Sequence, residues 1–165
     1  MHLFSENLAV EIATYYRNLA LGHSVTPKVF SLVNAQGSQY LFFIDDLPLK
    51  EDEVDQFLAY IVQDHDAVCY ARGTLVILEK ADQLIEFAVI DKDDEQAIVC
   101  SATLTRNVEG KIVGLSEFEK ILAPKKTIFF SGLFSPVALS VDKTEEFEGL
   151  WEEMKPKILR RTMGI

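Results

Sequence analysis

The chain predicts an α+β fold, a mostly antiparallel sheet of about six or seven strands with three main helices packed on it. Three observations carry this. Strand-like runs follow one another across short turns instead of alternating singly with helices. Three stretches repeat apolar residues at helical spacing. The 165 residues, 48% hydrophobic and 25% charged with a slightly positive mean hydropathy, supply one core and leave no room for a second of full size. No Pro-, Gly- or Ser-rich linker, internal repeat or low-complexity run interrupts them, so 1–165 reads as a single α+β domain.

Ser5 is placed to cap a first helix in which Leu8, Ile12, Tyr15 or Tyr16 and Leu19 form the apolar stripe, and Gly22 stops it. Beyond Pro27, Val29 to Val33 is a short β-like run, Asn34-Ala35-Gln36-Gly37 a turn, and Tyr40 to Ile44 the returning strand. Asp45-Asp46-Leu47-Pro48 breaks the pattern. The clearest helix follows, with Val54, Phe57, Leu58, Ile61 and Val62 on one stripe and Glu51, Asp52, Glu53 and Asp55 in its first turns, where the dipole favours carboxylates.

Strands are expected over about 67–79, 83–91 and 96–106, joined through Lys80-Ala81-Asp82 and Asp91 to Glu95. Asn107 to Gly110 turns the chain into 111–115. Ser116 with Glu119 matches a capping box and predicts a short helical piece to Leu122. Pro124 ends it, and the apolar run Thr127 to Phe134 reads as a last strand. Asp142 with Glu145 would cap a final helix carrying Phe147, Leu150, Trp151, Met154 and Ile158, which Pro156 kinks or ends.

Charge narrows the partners. The chain carries 16 basic and 26 acidic residues, net −10, with pI near 4.7, which makes nucleic acid an unlikely main partner. The first hundred residues are the acidic part; Lys155, Lys157, Arg160 and Arg161 form a small basic patch on the final helix. Two cysteines, Cys69 and Cys100, lack metal or redox spacing and read as buried thiols of a reducing compartment. The start Met1-His2-Leu3-Phe4 has neither a basic leader nor a long apolar stretch, and no run suits a membrane span, so the expected location is cytoplasmic.

Alternation along the three central strands assembles one polar group. If Arg72 faces Ile90, Val76 faces Glu86 and Glu86 faces Cys100, then Tyr70, Arg72, Thr74, Glu86 and Cys100 share a face. The opposite face, with Cys69, Ala71, Leu75, Ile77, Ile85, Phe87, Val89, Val99 and Ser101, is the better surface for the helices. On the first face Arg72 is the candidate for an anionic ligand, with Tyr70 as wall and Glu86 orienting it. The same charges also suit an ordinary cross-strand ion pair.

Little else carries chemistry. His2 lies in the tail, His23 follows Gly22, and His65 between Asp64 and Asp66 reads as a solvated loop histidine. Asp91-Lys92-Asp93-Asp94-Glu95 lacks the spacing of a calcium loop. No glycine-rich nucleotide motif or nucleophile elbow occurs, so no cofactor, metal or catalytic residue is assigned. The leading expectation is a non-enzymatic interaction or ligand-binding domain, with Trp151 as a partly exposed interface anchor and a protein partner or a homodimer as its target. Two alternatives stay open: a small metal-dependent hydrolase using carboxylates of Asp45–Asp55, and an acidic mimic occupying a nucleic-acid-binding partner.

Within about 50–122, the stretches Asp66-Ala67-Val68-Cys69-Tyr70-Ala71, Leu84 to Ile90 and Ala102 to Leu115 resemble a group of small bacterial proteins of uncharacterised function. These combine an acidic helix, an Ala-rich strand, two further strands and a hairpin ending in a Lys-Ile-Val-Gly-like element. The resemblance implies a bacterial style of protein and no activity.

Overall fold

A computed structural model describes residues 3–24, 26–77 and 83–163, the side chains of 74–77 excepted. His2 and the Lys80-Ala81-Asp82 connection lie outside the described residues. The elements run α1 (Leu3–Ala20), β1 (Val29–Asn34), β2 (Ser38–Phe43), α2 (Glu51–Asp64), β3 (Ala67–Ile77), β4 (Gln83–Asp91), β5 (Gln96–Arg106), β6 (Ile112–Leu115), β7 (Glu119–Pro124), α3 (Val141–Met154) and β8 (Leu159–Thr162). The α+β class holds, with all pairs antiparallel in the order β6-β5-β4-β3-β1-β2-β8. β7 pairs with β5 beside β6, because eleven-residue β5 offers more edge than four-residue β6 covers. No helix among the described residues is long and apolar enough to cross a membrane.

The helices do not share one face, as the sequence pattern suggested; they split. Alternate residues of every central strand point to opposite sides, and both sides are apolar. Under α1 lie Val33, Cys69, Ala71, Phe87, Val89, Ile98 and Cys100, covered by Phe4, Leu8, Ile12 and Tyr16. Under α2 and α3 lie Phe30, Leu32, Phe42, Tyr70, Ala88, Ile90 and Val99, covered by Phe57, Leu58, Ile61, Phe147 and Trp151. The Phe57 and Phe147 rings meet edge to face at 5.3 Å and join the two helices. Three layers result, with the sheet in the middle.

Three local signals are overridden by distant contacts, and a fourth yields to a neighbouring cap. Ser5 sits within α1 rather than before it, and its hydroxyl donates to Asp91 Oδ2 at 2.8 Å. Ser116 opens no helix: its Oγ accepts from Thr103 N–H at 2.8 Å and its own N–H donates to Thr103 C=O. This ties the chain to the edge of β5, and strand β7 replaces the expected helical piece. The run 127–134 forms no strand because Phe130 and Leu133 bury against the sheet face, so two 3-10 turns (Lys125–Thr127 and Ser131–Phe134) replace it. Ser140, not Asp142, caps α3 by accepting from Lys143 N–H at 3.1 Å.

Pro156 does end the final helix; a 3-10 turn (Lys155–Lys157) follows it and leads into β8. Arg160 and Arg161 therefore lie on an edge strand beside β2, correcting their placement on a helix.

Candidate functional site

Tyr70, Arg72 and Glu86 do lie on one face of the sheet. The register differs from the expected one by two residues on β4, with Arg72 opposite Ala88 and Thr74 opposite Glu86; a shift of two preserves the facing. Between β4 and β5 the shift is one residue. Glu86 meets Ser101 and Phe87 meets Cys100, so Cys100 passes to the α1 side while Val99 and Ser101 come to the Tyr70 side, correcting all three placements.

The trio does not line one cleft together. Tyr70 is fully buried; its hydroxyl donates to Phe130 C=O at 2.6 Å, accepts from Leu133 N–H at 3.4 Å, and so pins the 125–134 strap to the sheet. Burial raises the Tyr70 pKa well above that of a free phenol. The Arg72 guanidinium donates to Asp55 Oδ1 of α2 at 2.7 Å and lies 5.7 and 5.6 Å from the ring centroids of Phe129 and Phe130. Arg72 and Glu86 line one cleft with Phe129, of about 110 Å³. Small-molecule sites run to roughly 300–1,000 Å³. Asp55 already neutralises the charge that an anion would seek. Arg72 is a joint between sheet, helix and strap.

The carboxylates of 45–55 diverge. Asp45 Oδ2 accepts from Lys28 N–H at 2.7 Å, Glu53 accepts from Lys143 Nζ of α3 at 2.6 Å, and Asp55 holds Arg72. Among the described residues no three His, Cys, Asp or Glu side chains converge on a point that would hold a metal.

His65 is not a solvated loop residue. Its Nδ1 donates to Ile61 C=O at 2.9 Å, closing the end of α2, and its ring lies 4.8 Å from the centroids of both Tyr40 and Trp151. Trp151 is only 9% exposed and also packs on Phe42, which corrects its expectation as an exposed anchor.

Trp151 instead contributes to the wall of a groove between α2 and α3. Tyr60 and Asp64 come from α2, and Glu145, Glu148, Gly149, Trp151 and Glu152 from α3, around a volume of about 380 Å³. A neighbouring depression of about 270 Å³ shares Tyr60 and Asp64 and adds Gln63, Val137 and Leu139. Helical spacing explains the rim: 145, 148, 149 and 152 recur on one face. Gly149 keeps the groove open, since nothing lies within 4 Å of where its Cβ would be. Burial raises the Tyr60 hydroxyl pKa, and the Asp64 and Glu148 carboxylates raise it further. The groove thus combines aromatic walls with four carboxylates, of which Glu152 is held by Lys155 at 2.7 Å.

This concentration extends over the whole layer. α2 and α3 together carry eleven acidic residues against Lys143 alone, whereas α1 carries two acidic and one basic. Six of those eleven lie in α3, within the part of the sequence whose own balance is nearly neutral; the fold, not the chain order, gathers them.

Both thiols are closed off. Cys69 and Cys100 are buried beneath α1, and burial pushes their thiols up to about 12 and about 11. The Ser5–Asp91 pair beside Cys69 is also out of reach of solvent, and its signal in the sequence was a polar residue amid the apolar stripe of α1. Three of the four basic residues of the C-terminal patch have partners in the chain: Lys155 on Glu152, Arg161 on Glu11, Arg160 over the Tyr40 ring at 5.3 Å. Comparison with protein-family models, characterised proteins and solved structures finds no match.

Proposed function

We propose that the chain is a non-enzymatic binding module whose α2–α3 groove receives a cationic side chain from a basic partner protein. The observation that carries this is the groove itself, four carboxylates around Tyr60 and Trp151. An arginine or lysine entering it gains charge attraction and contact with two aromatic walls. The surrounding helices add a long-range field that speeds encounter with a positive surface. A catalytic reading has no comparable support: Arg72 is held by Asp55, Tyr70 by the strap, and the two thiols are buried.

The test uses the chain's one tryptophan, Trp151, as reporter. Oligo-arginine peptide added to the full chain is expected to change its fluorescence saturably, and less so as salt rises. Gly149→Leu fills the groove without a steric conflict at Cβ and removes the response. Glu145→Gln with Glu148→Gln and Glu152→Gln weakens it at least tenfold while circular dichroism stays unchanged. A response that survives in both variants, or none in the parent chain, overturns the proposal.

A further inference from the structure

The two edges of the sheet are built differently. The β8 edge carries long charged side chains, Arg160 over the Tyr40 ring and Arg161 paired with Glu11, which hinder pairing with another strand. The opposite edge, formed by β6 and β7, leaves Val113, Ile121 and Leu122 exposed at 56%, 60% and 58%. β7 is six residues long, and β5 is its only strand partner among the described residues. Its apolar residues lie on both faces: Ile121 pairs with Val99 on the α2–α3 side, and Leu122 with Ile98 on the α1 side. A partner resting on one face buries one of them. Only a strand added in the plane of the sheet, about 4.8 Å away, covers both.

We infer that this strand is β7 of a second copy, joined antiparallel about a two-fold axis so that one sheet runs through a homodimer. The segment 117–126 is complementary to itself in that direction. Glu117 and Glu119 lie at its start, Ile121 and Leu122 at its centre, and Lys125 and Lys126 at its end. Antiparallel pairing sets the acidic end of one copy against the basic end of the other, and parallel pairing would set like charges together. A two-fold axis perpendicular to the sheet keeps like faces on the same side, so only alternate registers are open. Centring on Lys120 opposes two ammonium groups, each bonded to Glu6 of its own α1, and centring on Leu122 leaves Ile121 facing only Ala123. Centring on Ile121 places Ile121 against its copy, Lys120 against Leu122 and Glu119 against Ala123, and just beyond the strand ends brings Glu117 towards Lys125, whose ammonium also donates to the Asp91 and Lys92 carbonyls. The segment holds two acidic and three basic residues, so the acidity of α2 and α3 is not repeated at this edge.

Sedimentation of the full chain tests this. The expected mass is twice 18.6 kDa, falling to 18.6 kDa in Ile121→Lys, while the opposite-edge control Leu159→Lys stays dimeric. Should Ile121→Lys not fold, register is read from single cysteines in the otherwise native chain, whose own thiols are buried. Under diamide, Ile121→Cys is expected to cross-link to its copy at least tenfold faster than Leu122→Cys, which faces Lys120. A monomeric parent chain, a folded Ile121→Lys that remains dimeric, or equal cross-linking at both positions overturns the inference.

Discussion

The two sides of the sheet solve the same burial problem in opposite ways. Beneath α1 the interior is partly polar: Ser5, Ser31, Gln39 and Asp91 are buried there, with Ser5 bonded to Asp91 and Gln39 Nε2 donating to Ser31 Oγ at 2.9 Å. Gln39 Oε1 has no hydrogen-bond partner among the described residues. Outside, α1 is nearly neutral. Beneath α2 and α3 the interior is apolar and aromatic, and the outer surface carries the acidic residues. Polar groups that must be satisfied inside impose one geometry, which suits a closed side. Charges held outside on a greasy base impose no such constraint, and only part of them is tied up, Asp55 by Arg72, Glu53 by Lys143 and Glu152 by Lys155.

Mutations can break or sharpen this contrast. The largest effect is expected at the joint of the acidic side. Phe147→Ala removes the ring that packs on Phe57 and Tyr60 and should cost about 4 kcal/mol in urea denaturation. Trp151 fluorescence should shift as α3 loosens.

On the α1 side, Gly73→Ala puts a Cβ 2.0 Å from Tyr16 Oη, which bonds Pro27 C=O and Val29 N–H. The ring cannot keep both bonds, and a loss of about 3 kcal/mol is expected. Thiol labelling reports it independently: Cys69 and Cys100 should be inert in the parent chain and reactive in the variant.

A smaller change tests the strap. Tyr70→Phe leaves the Phe130 carbonyl buried without its donor, at a cost of about 2 kcal/mol. Hydrogen exchange should rise over 125–134 and not in α1.

The smallest effect concerns the Glu53–Lys143 tie between α2 and α3. The hydrogen bond from Lys143 holds the Glu53 carboxyl below its ordinary value, and the same bond raises Lys143. A carboxyl lowered in the folded state contributes stability above its unfolded pKa and loses it as pH falls through the folded one. A raised ammonium contributes below its unfolded pKa and loses it as pH rises through the folded one. Neutral pH keeps both contributions, so Glu53→Gln should lower the melting temperature slightly at pH 7 and flatten its fall on acidification.

Much of this architecture is determined by the sequence alone. Alternating apolar residues in 67–77, 83–91 and 96–106 demand strands, the stripe Val54-Phe57-Leu58-Ile61-Val62 demands a helix, and Gly37 demands a turn, where its φ is +85°. Periodicity is a local property, so it survives whatever the strands pair with. The shared facing of Tyr70, Arg72 and Glu86 was legible for the same reason: parity tolerates a slip of two.

Only the tertiary structure decided the rest. Which residue meets which across β4 and β5 depends on turn geometry, and a slip of one sent Cys100 to the other side. Ser116, Ser5 and the run 127–134 each carried a sound local signal, and each lost to a distant partner: Thr103, Asp91 and Tyr70. β8 had no apolar pattern to announce it, because an edge strand is held through its backbone, which every sequence shares. The acidic groove was invisible for the plainest reason. Its two walls are some eighty residues apart in the chain, and what brings them together is the burial of Phe57 against Phe147, not any attraction among the carboxylates that give the groove its character.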